Sequence, residues 1–324
     1  ARRPFAELPG VQLSVISEDA EKKLPKELRE KVRNLSEKAQ KAAIDYSFHM
    51  NLTRFDETIA KTIPSLREMG ITTLKVFTAY NGRLRLDDGG IFKALRIAKE
   101  NGMLVMAHCE NGDVIETLTA QALAEKRTSP IWHALTRPAW GAVEATLRAC
   151  SLAAQAEAPL YVVHMNAGGE ADMLQYARQR GVKVMGETCP QYLFLTEHDL
   201  DQPHLEGAKY VCSPPPRDAS NQQVIWDGLA DGLFTVFSSD HAPFRYDATG
   251  VLRTALEVAP GRAVAIGPHG EQEEERQDDE GDDAEVCATP QSEGLNREQR
   301  EHQRQAADCQ GRADQADRVA GHHR

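Results

Sequence analysis

The stretch GIFKALRIAKENGMLVMAH, residues 90–108, decides the fold of this chain. Its first half places apolar residues at the spacing of an amphipathic helix, which we predict over Gly90 to Asn101. Gly102 then ends the helix, because glycine readily takes the left-handed conformation found after a helix C-terminus. An apolar run, Met103 to His108, follows at once and is typical of a buried strand. The stretch therefore predicts one α/β unit of a parallel sheet.

The same unit recurs along the chain. Besides the strand that ends at His108, we expect strands at Ile44 to Met50, Thr72 to Phe77, Leu160 to Met165, Val182 to Glu187 and Phe234 to Ser239. Helices are expected between most of them, at Asp56 to Met69, Ala139 to Ala156, Glu170 to Arg180 and Asn221 to Asp231. About six parallel strands are two fewer than a closed barrel needs. The predicted fold class is α/β, an incomplete (β/α)8 barrel of the TIM type within residues 43–247.

The two ends of the chain differ from this middle region. Residues 1–42 are rich in Lys and Glu and are predicted to be a charged, mostly helical segment. Residues 248–324 lose the α/β pattern, and Glu271 to Arg324 holds 16 acidic side chains against 7 basic ones. Such a composition buries too little apolar area to offset the entropy of ordering, so we expect a disordered acidic tail. Two origins stay open: a natural solvated tail, and out-of-frame translation of a GC-rich gene.

The net charge of the 324-residue chain, -11, lies mostly in that tail. The rest is nearly neutral, which gives no reason to expect nucleic acid or an anionic membrane as a partner. The six cysteines show neither a CxxC pair nor regular spacing, a pattern that favours reduced thiols. No uninterrupted apolar run approaches the roughly 20 residues that span a bilayer. We therefore expect a protein of the cytoplasm.

Four residues that could bind metal ions stand at the ends of predicted strands: Lys75, His108, His164 and Asp240. Parallel strands deliver their carboxyl ends to one rim of a barrel, so these side chains could share a site. A lysine amine kept neutral by burial can react with carbon dioxide to form a carbamate, which bridges two metal ions as a carboxylate does. Imidazoles suit zinc, and a carboxylate can both bind the metal and exchange a proton.

Each of these residues alone also has a structural explanation. A lone lysine in a strand more often extends its amine to solvent, a lone histidine more often makes a structural hydrogen bond, and Asp240 could cap a turn. The glycine pairs at 89–90 and 168–169 are predicted to be turns, because neither has the spacing of a phosphate-binding loop. Cys189 is interpreted as structural. Only the placement of all four candidates at one end of the sheet favours a metal centre.

Six ordered motifs resemble those of the cyclic amidases, the dihydropyrimidinases and bacterial hydantoinases of the amidohydrolase superfamily. The motifs are LKVFTAY (74–80), AHCENGD (107–113), YVVH (161–164), GETCPQYL (186–193), CSPPPR (212–217) and SDHAPF (239–244). The resemblance implies a β/α barrel with two zinc ions per subunit, usually in a homotetramer. It also implies hydrolysis of the cyclic amide bond of dihydropyrimidines or 5-substituted hydantoins to N-carbamoyl amino acids.

The resemblance assigns a role to each candidate residue. Lys75 would be the carbamylated ligand that bridges the metals, while His108 and His164 would hold one zinc. Asp240 would bind the other zinc and move the proton. Tyr80 would donate a hydrogen bond to the oxyanion that forms at the ring amide, and Ser213 would contact the substrate ring through its backbone.

The chain departs from the family pattern in ways that bear on activity. The His-x-His pair of the family's first barrel strand does not occur, and Asn166 stands where the family usually carries serine. Because zinc prefers about four ligands, we expect one zinc or none, and impaired hydrolysis. Two alternatives stay open: a non-catalytic dihydropyrimidinase-like protein that acts by assembly, and a related amidohydrolase such as an allantoinase or dihydroorotase. An incomplete barrel would also leave the strand near Ile44 unpaired, which predicts low solubility.

Overall fold

The computed structural model describes residues 47–240 together with Lys23, Leu24, Lys26, Arg29, Glu30, Val32 and Arg33. All of them lie in the first of two compact units, Ala1–Cys287. The second unit, Ala288–Arg324, lies outside the described residues. So do the predicted acidic tail and most of the predicted N-terminal segment, and the division of the chain at residues 42 and 247 stays a prediction.

Six strands and eight α-helices lie between residues 47 and 240. The strands are β1 Met50–Asn51, β2 Thr73–Phe77, β3 Leu104–His108, β4 Leu160–Val162, β5 Val184–Thr188 and β6 Val236–Phe237. The helices are α1 Glu57–Glu68, α2 Asp88–Glu100, α3 Gly112–Ala124, α4 Ile131–Leu135, α5 Ala139–Ala156, α6 Gly168–Gln179, α7 Gln191–Phe194 and α8 Ser220–Ala230. Two 3-10 helices, Glu197–Leu200 and Pro203–Tyr210, precede α8.

The six strands form one parallel sheet in which each strand pairs with the next in sequence. Within the described residues the sheet does not close, since β1 and β6 each pair on one side only. The predicted fold, an α/β protein with an incomplete β/α barrel, is confirmed. Because all strands run the same way, their carboxyl ends meet at one edge of the sheet.

Alternation along the strands sorts side chains onto two faces. The outer face of β2 and β3 belongs to the main hydrophobic core and packs against the helices; it is formed by the fully buried Leu74, Val76, Val105 and Ala107. The side chains at the positions between these residues point to the opposite face of the sheet, which is called the inner face. There Lys75 stands opposite Met106, and Phe77 stands opposite His108. The strand period therefore puts two of the predicted ligands on one face at one end of the sheet.

The stretch at 90–108 folds as its sequence predicts. The Asp87 carboxylate caps α2 by accepting a hydrogen bond from the Gly90 N–H at 2.6 Å. Asn101 follows the last turn of the helix, and Gly102 reverses the chain with a φ of 62°. β3 begins at Leu104, one residue later than expected.

Several predicted strands are longer than the observed ones. β1 keeps only the end of the predicted alternating strand, of which residues 44–46 lie outside the described part. β4 and β6 stop early because the chain turns away from the sheet at His164 and Asp240, whose φ values are 42° and 45°. His164 and Asp240 therefore lie just after β4 and β6, whereas Lys75 and His108 lie within β2 and β3.

Two local predictions are wrong. The glycine pairs at 89–90 and 168–169 are not turns but lie in the first turns of α2 and α6. At Gly169 a side chain would not fit, because a Cβ there would lie 2.7 Å from Val143 Cγ2. Helix α3 was not predicted, since it buries only Gly112 and Ala122 and so lacks an apolar face. No helix in the described part of the chain has the length and apolar character that a bilayer crossing requires.

Candidate metal centre

Lys75 is buried on the inner face of β2 with 4 % of its surface exposed. Its Nζ lies 5.3 Å from the centroid of the Phe77 ring. That ring in turn lies 5.2 Å from the ring of His108 on the neighbouring strand. The amine is therefore buried near the Phe77 ring, instead of extending to solvent as a lone strand lysine usually does.

His108 and His164 face each other at the carboxyl ends of β3 and β4. The distance from His108 Nδ1 to His164 Nε2 is 2.9 Å, and the rings meet edge to face with centroids 4.7 Å apart. Both side chains are buried. Although 56 residues separate them in sequence, the parallel pairing of β3 with β4 brings their ring nitrogens together.

Glu110 fixes the other side of the His108 ring. Its carboxylate accepts a hydrogen bond from His108 Nε2 at 3.0 Å and lies 3.7 Å from the Arg217 guanidinium. Burial alone would raise the pKa of this carboxyl, but the hydrogen bond and charge of His108, with the charges of Arg137 and Arg217, outweigh it and lower the pKa to about 2. An ionised carboxylate only accepts hydrogen bonds, so His108 Nε2 carries a proton that it donates to Glu110.

Tyr80 closes one side of the imidazole pair. Its ring is buried and lies 5.1 Å from the His108 ring. Burial, and then the negative charges of Glu110 and Asp240, hold the pKa of Tyr80 well above its usual range, against the lowering effect of Arg137 and Ser213. The phenol therefore keeps its proton and can act as a hydrogen-bond donor.

Asp240 follows β6 and is half-buried. Its negative charge is the smallest of the named causes of the raised pKa of Tyr80. The structure does not bring it into contact with the imidazole pair. Among the described residues, no three His, Cys, Asp or Glu side chains converge closely enough to hold an ion. Ligation by all four predicted residues therefore stays a prediction.

The imidazole pair fits one zinc ion. Two nitrogens that bind the same tetrahedral zinc at about 2.0–2.1 Å lie about 3.4 Å apart. The observed 2.9 Å is within a small ring movement of that separation, and because Glu110 occupies His108 Nε2, the nitrogen that would bind the metal is Nδ1, which faces His164. A carboxylate on the far nitrogen of a metal-binding histidine is a common arrangement in zinc proteins.

Comparison with curated proteins finds D-hydantoinases that are similar in sequence to this chain. The chain is 45% identical over 207 residues to the D-hydantoinase of Geobacillus stearothermophilus, a match that covers 64% of this chain and 44% of that protein. It is 48% identical over 202 residues to the D-hydantoinase of Streptomyces coelicolor, which covers 62% of this chain and 43% of that one. A search against family models finds no match.

Solved structures agree with these relatives. D-hydantoinase from a Bacillus species, strain AR9, superposes with a TM-score of 0.68 at 44% identity, over 73% of this chain and 51% of that one. Dihydropyrimidinase from Brevibacillus agri superposes with a TM-score of 0.67 at 46% identity, a match that covers 69% of this chain and 49% of that protein. The matched region of this chain is similar to hydantoinases and dihydropyrimidinases. The chain spans about half the length of these relatives.

Several residues around this part of the hydantoinase fold have contacts that the sequence did not reveal. Arg217 donates from Nε to Asn166 Oδ1 at 2.9 Å and from its terminal nitrogen to the Arg137 carbonyl oxygen. Asn166 also donates to the Pro215 carbonyl oxygen at 2.7 Å. Asn166, which replaces the family's usual serine, therefore ties the loop after β4 to the loop before α8.

A second buried carboxylate was also missed. Glu187 on β5 accepts hydrogen bonds from the hydroxyls of Tyr161 on β4 and Ser238 after β6, and it is 5 % exposed. It joins three adjacent strands on the inner face. The sequence did contain a signal for these residues, since each is a charged residue next to an apolar strand or among small residues. They are Glu110 in AHCENGD, Glu187 in GETCPQYL and Arg217 in CSPPPR.

Proposed function

We propose that this chain carries part of a metal-dependent cyclic amidase. The reaction would hydrolyse the ring amide of a dihydropyrimidine or a 5-substituted hydantoin to an N-carbamoyl amino acid. The observation that carries the proposal is the 2.9 Å approach of His108 Nδ1 and His164 Nε2 at the ends of adjacent parallel strands. The similarity of the matched region to hydantoinases and dihydropyrimidinases supports the choice of substrate class.

Zinc is the proposed metal, held by His108 and His164 together with Lys75 as its carbamate. Asp240 would contribute to a second zinc, as the family resemblance implies. When bound, zinc supplies a nucleophile at neutral pH and a Lewis acid for the amide carbonyl. The burial of Lys75 on the inner face of β2, the face that also carries His108, supports the choice of this lysine.

The chain's own residues have complementary roles in this proposal. The Tyr80 hydroxyl donates a hydrogen bond to the oxygen that gains charge as the amide carbon is attacked. The Asp240 carboxylate accepts the proton released by the attacking water and passes it to the ring nitrogen that leaves. The backbone at Ser213 holds the ring through its amide edge. Glu110 keeps the His108 proton on Nε2.

Ring opening tests the proposal directly. The purified full-length chain would be incubated with zinc, bicarbonate and either dihydrouracil or a 5-substituted hydantoin, and the N-carbamoyl product would be measured. We expect slow turnover that His108→Ala and His164→Ala abolish, while His198→Ala, a substitution at an exposed histidine, leaves it unchanged. Turnover that survives loss of both imidazoles would contradict the proposal.

We further propose, from the family resemblance, that the chain associates with copies of itself and acts in the cytoplasm. The four cysteines in the described part of the chain are free thiols, three of them buried, which suits a reducing compartment.

A further inference from the structure

Arg217 is a buried arginine that the proposed reaction does not use. It is 7 % exposed and lies in residues 211–219, the loop that precedes α8. Its three guanidinium nitrogens contact three different segments. Nε donates to Asn166 Oδ1 at 2.9 Å, one terminal nitrogen donates to the Arg137 carbonyl oxygen, and the other lies 3.7 Å from Glu110 Oε1. One side chain therefore joins the loop after β3, the loop after β4 and the segment before α5.

Two of these contacts lie close in sequence to the imidazole pair. Glu110 comes two residues after His108, and its other oxygen, Oε2, accepts the hydrogen bond from His108 Nε2 at 3.0 Å. Asn166 comes two residues after His164. Both contact residues are buried, with 1 % and 2 % of their surfaces exposed. The guanidinium therefore connects the same two loops whose imidazole nitrogens approach to 2.9 Å.

Asn166 is held in one orientation. Its Oδ1 accepts from Arg217, its Nδ2 donates to the Pro215 carbonyl oxygen at 2.7 Å, and its backbone N–H donates to the Glu170 carboxylate at 3.0 Å. An amide whose oxygen and nitrogen both have partners cannot rotate without losing hydrogen bonds. Directional bonds therefore fix the loop after β4 relative to Arg217.

The loop that carries Arg217 is itself fixed by other contacts. Nε2 of His133 on α4 lies 2.9 Å from the Cys212 carbonyl oxygen and 3.1 Å from Ser213 Oγ. The Arg217 carbonyl oxygen accepts from the Glu197 N–H at 3.1 Å. A planar guanidinium presents its donors in fixed directions, whereas a lysine amine is a single point charge on a flexible stem. Only arginine can therefore make these contacts to three segments at once.

We propose that Arg217 is a positioning residue that holds His108 and His164 at the separation a shared zinc ion needs. It acts through Glu110 on the His108 side and through Asn166 on the His164 side. The inference rests on the proposed function in one respect, the binding of one metal by both imidazoles. The contacts that connect Arg217 to the two loops rest on the structure alone.

Zinc affinity separates positioning from a general effect on stability. Arg217→Lys keeps the positive charge but loses the directed contacts. The matched control is Arg178→Lys, because Arg178 also joins two segments, donating to the Val184 carbonyl oxygen at 2.9 Å and to Thr235 Oγ1 at 3.2 Å. Those segments are at the amino ends of β5 and β6, the edge of the sheet opposite the imidazole pair.

The measurement is calorimetric titration of the full-length chain with zinc in bicarbonate buffer. Removing a residue that orients a metal ligand typically costs about 10- to 100-fold in metal affinity. We expect the zinc dissociation constant to rise by that factor in Arg217→Lys and to stay unchanged in Arg178→Lys. An unchanged constant in Arg217→Lys, or an equal rise in Arg178→Lys, would overturn the positioning role and leave the proposed function standing.

A further variant covers the case in which Arg217→Lys has no cooperative thermal melt. Asn166→Ala leaves Arg217 in place but removes the acceptor of its Nε. We expect weaker zinc binding in this variant too. A folded Asn166→Ala chain that binds zinc as tightly as the wild type would overturn the inference.

Nitrogen NMR of the metal-free chain gives a readout that needs neither zinc nor turnover. With 15N-labelled histidine, the imidazole signals of His108 and His164 would be assigned by their loss in His108→Ala and His164→Ala. We expect these signals to shift in Arg217→Lys and to keep their positions in Arg178→Lys. Identical signals in both variants would overturn the inference. A wild type that binds no zinc would count against the proposed function, while this comparison would still decide the role of Arg217.

Discussion

Tyr80, His164 and Asp240 share a backbone feature. Their φ values are 67°, 42° and 45°, in the left-handed region that residues other than glycine seldom occupy. In the part of the chain that the structure describes, only Lys126 and Glu157 are further non-glycine examples, and both follow helix C-termini. Unfavourable backbone of this kind often marks functional sites. Here all three residues follow the carboxyl ends of strands, after β2, β4 and β6.

The Tyr80 hydroxyl is expected to act mainly in the transition state. Tyr80→Phe keeps the buried ring but removes the donor, so kcat for ring opening should fall about 10²-fold with little change in KM. Steady-state kinetics of the two proteins would measure this. A rise in KM at constant kcat would instead place Tyr80 in ground-state binding.

Glu110 should make the stability of the chain depend on pH. Its pKa is lowered from the ordinary 4.5 to about 2 in the folded state. Its contribution is therefore fully present above about pH 4.5 and is lost as the pH falls toward 2. Glu110→Gln should lower the free energy of unfolding at pH 7, and the difference from wild type should shrink by pH 3. Urea unfolding of both proteins at pH 7 and pH 3 measures this difference in the free energy of unfolding. A difference that is larger at pH 3 than at pH 7 would contradict the account.

At the scale of helices and strands, the sequence predicted the features that follow from the spacing of hydrophobic residues. The helix–glycine–strand pattern placed β2, β3, β5 and β6, and the strand period placed Lys75 and His108 on one face. The sequence could not show the contacts made across loops. Glu110, His133 and Arg217 come from three different segments, and their contacts depend on how the loops after β3, before α5 and before α8 pack together. Helix α3 was missed because it has almost no buried face.

The start of α3 is a tightly packed point behind the site. A Cβ at Gly112 would lie 2.5 Å from Asn81 Oδ1 and 2.9 Å from the Ala79 Cα, and the latter is backbone that cannot easily move. Gly112→Ala should therefore lower the free energy of unfolding by about 1–3 kcal/mol. The matched control is Gly89→Ala in the first turn of α2, where the nearest atom to the added Cβ would be 3.6 Å away. Equal thermal melts of the two variants would contradict this packing argument.

At the scale of the whole molecule, the open sheet should affect how the chain behaves in solution. Within the described residues, β1 and β6 each have one unpaired side, and Phe237 on β6 is half exposed. Unpaired strand edges favour pairing with other chains. Light scattering on the eluate of a sizing column should therefore show species larger than a single chain, and a monodisperse monomer with a sharp cooperative melt would contradict this.

The central claim is that side chains from separate strands meet to bind a metal ion. Equilibrium zinc binding to the full-length chain in bicarbonate buffer tests it most directly. The account predicts about one bound zinc per chain, because zinc needs about four ligands and the proposed site of Lys75, His108 and His164 would supply three of them. Lys75→Arg, His108→Ala and His164→Ala should each abolish this binding, while His198→Ala should not. Zinc binding that is absent in the wild type, or unchanged in the three variants, would contradict the account.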